Sequence, residues 1–122
     1  MAETCEFTMY LNGTMENIEN FFEALTHKKN TYIGKGAKAN ILHVYNDAAV
    51  IHGTCKWSIQ ASLINSALLM KSQIKTYGNP ITTASEEILT LSEACKKYHL
   101  TIKAYSGGEN SNLQEYYSYI NL

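Results

Sequence analysis

The chain has no arginine, a single proline (Pro80) and a single tryptophan (Trp57), and its basic complement consists of ten lysines. Arginine is the side chain that reads bases and phosphates through a rigid bidentate fork, so its absence, with a net charge of only -1, argues against a dedicated duplex binder. The same near-neutral charge argues against a heavily acidic mimic of nucleic acid. No apolar run approaches the roughly 18 residues that a membrane span requires, so no membrane association is expected. The opening Met1-Ala-Glu-Thr-Cys-Glu lacks a basic start and an apolar core, so a secretory signal is not expected and a cytoplasmic location is. Cysteine is scarce and odd in number: Cys5, Cys55 and Cys95 are widely spaced on apolar faces and read as three small buried thiols in a reducing compartment.

At 122 residues, with 45% hydrophobic and 17% charged residues, the chain has the material for one domain over residues 1–122 with its own core. Its architecture is most legible between Asp47 and Ser58. There Ile51, Gly53, Cys55 and Trp57 alternate with Val50, His52, Thr54 and Lys56, the two-residue period of a strand with one face in a core. Trp57 shares parity with Ile51 and Cys55 and is expected inside.

The same alternation marks Thr4 to Leu11 as a strand. Thr14 then caps a helix over 15–27 on the stripe Met15, Ile18, Phe21, Phe22 and Leu25. Ile41–Tyr45 and Ala48–Trp57 form a hairpin across Asn46-Asp47, with Leu42 and Val44 inward and His43 and Tyr45 outward. Ser58 caps a second helix, and Lys71 to Thr82, with Gly78, Asn79 and Pro80, reads as a loop. Thr83-Ala-Ser-Glu86 fits a capping box for a helix that buries Ile88, Leu91, Cys95 and Tyr98. Leu100–Ser106 and Leu113–Ile120 are the last strands. The order implies an α+β, ferredoxin-like split βαβ sandwich, a sheet of about five strands with helices on one face.

The run Gly53-Thr-Cys-Lys-Trp-Ser58, the segment Leu91-Ser-Glu-Ala-Cys-Lys-Lys-Tyr-His-Leu-Thr-Ile102, Tyr105-Ser106 and Leu113-Gln-Glu-Tyr-Tyr117 resemble the YubB-type ferredoxin-like domains of phage, plasmid and other mobile-element proteins. The resemblance spans roughly residues 41 to 120, with Leu113 and Tyr116 where Phe and His are common. It implies the fold and a mobile-element origin, and assigns Gly53, Cys55, Trp57, Ser58, Gln114, Glu115 and Tyr117 to a motif that is structural in character. The family has no established activity.

Strand parity predicts an open sheet face carrying Tyr10, His43, Tyr45, His52, Thr54, Lys56, Lys103 and Tyr105, a mixture of rings, hydroxyls and ammonium groups suited to gripping a partner. The alternative is an ordinary solvated face with tyrosines chosen for strand propensity. A second candidate is the basic window with Lys28, Lys29, Gly34, Lys35, Gly36 and Lys38, where a Gly-Lys loop can wrap backbone amides and ammonium groups around a phosphate. Its spacing matches neither the phosphate-loop nor the dinucleotide fingerprint, so a lysine-rich connection is the competing reading. His52 and Cys55 point to opposite faces of a strand, so neither a metal site nor a cofactor is expected.

The reading these residues favour is a small non-enzymatic mobile-element protein that binds a host protein or complex, a counter-defence inhibitor. The alternative is sequestration of a small anionic ligand such as a signalling nucleotide, and a third is an enzyme using Cys55 or Glu115. The terminal strand, if unpaired, offers an edge for a homodimer.

Overall fold

The structure is a computed structural model, and it describes residues 4–28, 30–77, 87–107 and 114–120, with the side chains of 73–77 excepted. β1 (Thr4–Asn12) is followed by α1 (Met15–Leu25), β2 (Thr31–Ile33), β3 (Lys38–Tyr45) and β4 (Ala48–Lys56). A π-helical stretch, Gln60–Asn65, runs directly into α2 (Ser66–Tyr77); β5 (Glu87–Leu89), α3 (Leu91–Lys97), β6 (Thr101–Ser106) and β7 (Glu115–Tyr119) complete the chain.

The five-stranded sheet has the order β3-β4-β1-β6-β7, and every neighbouring pair is antiparallel. Consequently β1 and β3 run parallel with β4 between them, and β4 and β6 run parallel with β1 between them. Two β-helix-β units are thus interleaved in an α+β domain. The core is built by alternation: Phe7, Met9 and Leu11 of β1, Ile51 of β4 and Ile102 of β6 are all buried, and they join Ile18, Phe21, Leu25, Leu63 and Leu91 from the helices in one cluster. Burying a side chain of this size contributes about 1.5–3 kcal/mol, which is why the two-residue period dictates which face is inner.

The helix starts follow local chemistry. Thr14 accepts the N–H of Asn17 at 3.2 Å, and the Ser58 hydroxyl accepts that of Ala61 at 2.9 Å, each satisfying an orphan donor of a first turn. The capping box of α3 is formed by Thr90 and Glu93. This corrects the expectation of a helix begun at Thr83–Glu86, which lie outside the described residues. Glu87–Leu89 is a strand, paired in parallel with Thr31–Ile33 in a second, two-stranded sheet. Ile88, Leu91, Cys95 and Tyr98 are buried as the periodicity required, although Ile88 is buried from a strand. The expected loop from Lys71 is also corrected, because α2 continues to Tyr77: no glycine or proline precedes Gly78 to break it.

Two further corrections concern β3. The strand begins at Lys38, inside the window read as a connection, and its register slips between Ile41 and His43. Leu42 is the extra residue of that bulge, unpaired and 63% exposed, since a bulge breaks the alternation that would have turned it inward. Val44 lies opposite Ala49 near the hairpin tip, where it remains exposed. The hairpin itself is as expected: Tyr45 pairs with Ala48 and Asn46 takes the positive φ of 51° that a two-residue loop requires. No helix among the described residues is long and apolar enough to cross a membrane.

Candidate functional site

The basic window folds into a pinned loop. The N–H of Gly34 donates to the Leu89 carbonyl (3.0 Å), that of Gly36 to Ile33 (2.9 Å) and that of Ala37 to Leu25 (2.9 Å). Between them the Lys35 N–H reaches the Ser62 carbonyl at 2.9 Å and the Ser66 hydroxyl at 3.1 Å, both on the π-helical segment and the start of α2. Gly34 holds φ of 52°, and a β-carbon there would lie 2.2 Å from the Ser62 oxygen. Only glycine lets the loop seat this closely on the helix. Gly36, at φ 76°, is covered in the same way by the His27 ring.

The seated loop overhangs the end of the sheet where β3 begins and β4 ends. A cleft of about 630 Å³ opens there, lined by Lys35, Lys38, Lys56 and His27 together with hydroxyl-bearing residues including Thr4 and Thr54. Among the described residues, no carboxylate lines it. Lys38 and Thr54 are cross-strand partners, as are Lys56 and Thr4, so the ladder fixes their spacing. Burial holds the His27 imidazole below its ordinary range against the opposing influence of the Gly34 and Ile33 backbone, which leaves the lysines as the charge at neutral pH.

The positive end of the helix beside the cleft is already occupied from within. Glu115 accepts the N–H of Ile59 (2.8 Å) and of Gln60 (2.9 Å), the Ser106 hydroxyl (2.8 Å) and the Tyr117 hydroxyl (3.0 Å). Burial pushes its carboxyl up, but these donors outweigh burial and hold it below the usual range. Burial and then Glu115 push the Tyr117 phenol up to about 12. The motif residues Ser58, Glu115 and Tyr117 therefore meet at one helix start. Gln114 is exposed next to them, and Gly53 admits β3 closely, since a β-carbon would stand 2.4 Å from the Lys38 carbonyl.

Trp57 departs from the expectation of a core residue: it is 54% exposed. Parity ends with Cys55, because the chain leaves the ladder at Lys56. The Ser58 N–H then returns to the Lys56 carbonyl at 2.8 Å, a three-residue γ-turn centred on Trp57 with φ 66°, the rare and strained form of that turn. The Lys35 ammonium lies 5.6 Å from the indole centroid.

Of the other predicted residues, Thr54 and Lys56 belong to the cleft as well as to the outward parity of β4. Lys28 reaches instead over the Phe22 ring at 6.0 Å, and Lys29 lies outside the described residues. Tyr10, Lys103 and Tyr105 are exposed on the open face; the Tyr105 hydroxyl donates to that of Tyr10 at 2.9 Å, their rings 5.7 Å apart. The registers extend this into a row of Asn40, His52, Thr8, Tyr105 and Tyr116 across all five strands, with Thr8 and His52 3.4 Å apart. His43 and Tyr45 are exposed toward the hairpin end, distant in register from the cleft. Tyr117 and Tyr119 turn the other way, half-buried with parallel rings.

Sequence reasoning missed His27, Thr4 and Ser62 as members of the cleft. His27 carried a signal, a histidine next to the basic window; the other two are brought in by tertiary packing alone. Cys55 and Cys95 are buried, whereas Cys5, its cross-strand partner Cys55 notwithstanding, is only half-buried. No three His, Cys, Asp or Glu side chains gather into a metal site among the described residues. No family model, curated protein or solved structure matches this chain.

Proposed function

We propose that the protein is a non-enzymatic binding protein of the ferredoxin-like class that takes a small anionic ligand into the cleft beneath the Gly34–Gly36 loop. The interleaved β-helix-β units and the order β3-β4-β1-β6 support the class, with β7 as an added edge. The observation that carries the function is the lining: three lysines, hydroxyl-bearing residues and a pinned glycine loop border about 630 Å³ with no carboxylate among the described residues, within the usual size of a small-molecule site. Like charges held together repel, and an anion relieves that repulsion. In the mobile-element setting implied by the resemblance to YubB-type domains, such capture removes a signalling anion on which a host defence depends.

Thermal unfolding with a panel of phosphate compounds tests this. A compound present at about 100 times its Kd stabilises the fold by about 2.7 kcal/mol, and Lys35→Ala with Lys56→Ala abolishes the effect. No stabilisation by any anion in the panel overturns the reading.

A second reading, binding of a host protein through the open face, is favoured by the exposed tyrosines Tyr10, Tyr105 and Tyr116. Recovery of the same host proteins by wild type and by a variant with all three changed to Ala removes that face from consideration.

A further inference from the structure

We infer that Trp57 is the platform on which the ligand's aromatic ring stacks, so that the anion taken by this cleft is a nucleotide rather than a bare phosphate. The inference rests on the reading of the cleft as an anion site and adds to it the class of ligand. It starts from an outlier. A bulky side chain at the centre of a positive-φ γ-turn is sterically disfavoured, and such positions persist only where the surroundings enforce them. Here both flanks do: Lys56 is held in the ladder opposite Thr4, and the chain after Ser58 is held by the Glu115 carboxylate. The turn has one evident result. It carries the indole out of the core parity of Ile51 and Cys55 and leaves a large, flat, rigid ring facing solvent.

That ring is not itself part of the cleft lining but adjoins two residues that are, Lys35 and Lys56. Lys35, which lines the cleft, also places its ammonium over the indole at 5.6 Å, so the side chain bridges the two. A cation over an exposed ring is held weakly, whereas an ammonium on a phosphate makes a charge-assisted hydrogen bond. A ligand bearing both groups would draw the Lys35 ammonium onto its phosphate and free the indole face for its base. Lys56, adjacent in sequence, lines the cleft as well and would meet the same phosphates. An inorganic anion uses the lysines but leaves the exposed indole without a role, and an uncharged aromatic does the reverse.

Trp57 is the chain's one tryptophan among nine tyrosines, so fluorescence excited at the long-wavelength edge, where tyrosine does not absorb, reports on this ring alone. The test titrates the full chain with ADP, UDP and pyrophosphate, following fluorescence and, independently, binding heat. The expected result is fluorescence quenching by the nucleotides and tighter binding of at least one of them than of pyrophosphate. Trp57→Gly, which suits the turn, is then expected to weaken that nucleotide roughly 5- to 150-fold, the range that corresponds to base stacking on aromatic side chains, with pyrophosphate affinity unchanged within about twofold. Trp57→Phe restores part of the loss. Pyrophosphate binding as tightly as both nucleotides, or Trp57→Gly weakening all three alike, overturns the stacking role and leaves the anion site standing. Absence of binding by all three overturns both.

Discussion

The carboxylate of Glu115, on the last strand of the sheet, accepts the backbone N–H of Ile59 at 2.8 Å, and so an edge strand closes the start of a helix more than fifty residues away in the chain. Glu115→Ala leaves the N–H groups of Ile59 and Gln60 and the Ser106 hydroxyl without this acceptor. The expected cost is about 1–3 kcal/mol, read from urea unfolding. The acid dependence has a defined sign. The folded carboxyl sits below its ordinary value of 4.5, so its stabilisation is full above that value and is lost as pH falls through the lower folded one. Glu115→Gln is expected to flatten the acid limb of the stability profile. An unchanged limb would mean that another carboxylate dominates it.

Gly34→Ala is expected to destabilise by roughly 1–3 kcal/mol, because the new β-carbon meets the Ser62 carbonyl and the left-handed backbone disfavours any side chain. The same change lifts the loop from the helix, so affinity for anions falls with stability. Chemical denaturation and calorimetry on one preparation compare the two losses.

Trp57→Gly is expected to behave differently. Removing a buried aromatic costs about 3–5 kcal/mol, but here relief of the positive φ, worth about 1–2 kcal/mol, offsets much of what is lost, a cation–π contact worth about 0.5–1 kcal/mol and the contacts of the covered part of an indole that is 54% exposed. Stability is therefore expected to fall by no more than about 2 kcal/mol, and a loss of the full buried-aromatic size in urea unfolding would place the indole in the core.

Cys55 is expected to be inert. Burial first, then the neighbouring Cys5 and Glu115, push its thiol up to about 12, with a hydroxyl contact from Ser62 opposing. Almost no thiolate exists at neutral pH. Burial also pushes the Cys95 thiol up. Of the three cysteines, the half-buried Cys5 alone should react promptly with a disulfide reagent in the native state, and all three in denaturant. Rapid native labelling of Cys55 would contradict this.

Lowering of the His27 pKa by burial gives a second pH dependence. The unfolded imidazole takes up a proton near 6.5 while the folded one resists it, so the stabilisation is complete above that pH and declines as pH falls through and below it. Thermal scans from pH 7.5 to 5 should show a decline that His27→Asn reduces, asparagine being tolerant of the positive φ of 58° at this position.

The strands of the main sheet were legible where the backbone alternates without interruption, as at Phe7, Met9 and Leu11 or at Ile51, Gly53 and Cys55. Legibility failed where that period is interrupted by something composition does not encode. Leu42 is displaced by a bulge, and Trp57 stands one residue beyond the last ladder pair. Thr31–Ile33 and Glu87–Leu89 are too short to display a period, and their parallel pairing joins segments far apart in sequence. Thr90 and Thr83, seven residues earlier, head the same Thr-x-x-Glu pattern, and sequence alone does not rank the two as caps. At the cleft, Gly34, Lys35, Gly36 and Lys38 were visible as a basic glycine loop. Their meeting with Lys56 and Thr4 depends on the β1–β4 register and on the seating of the loop against Ser62.

The π-helical stretch at Gln60–Asn65 is equivalent to one residue inserted into an α-helix, which rotates everything after it by about 100°. A homologue shorter by one residue between positions 60 and 65 would wind a continuous α-helix, swing the Ser62 carbonyl and Ser66 hydroxyl away from the Lys35 amide, and release the lysine loop from its anchor points on this helix. Length in this segment thus decides whether the Lys35 amide keeps both acceptors.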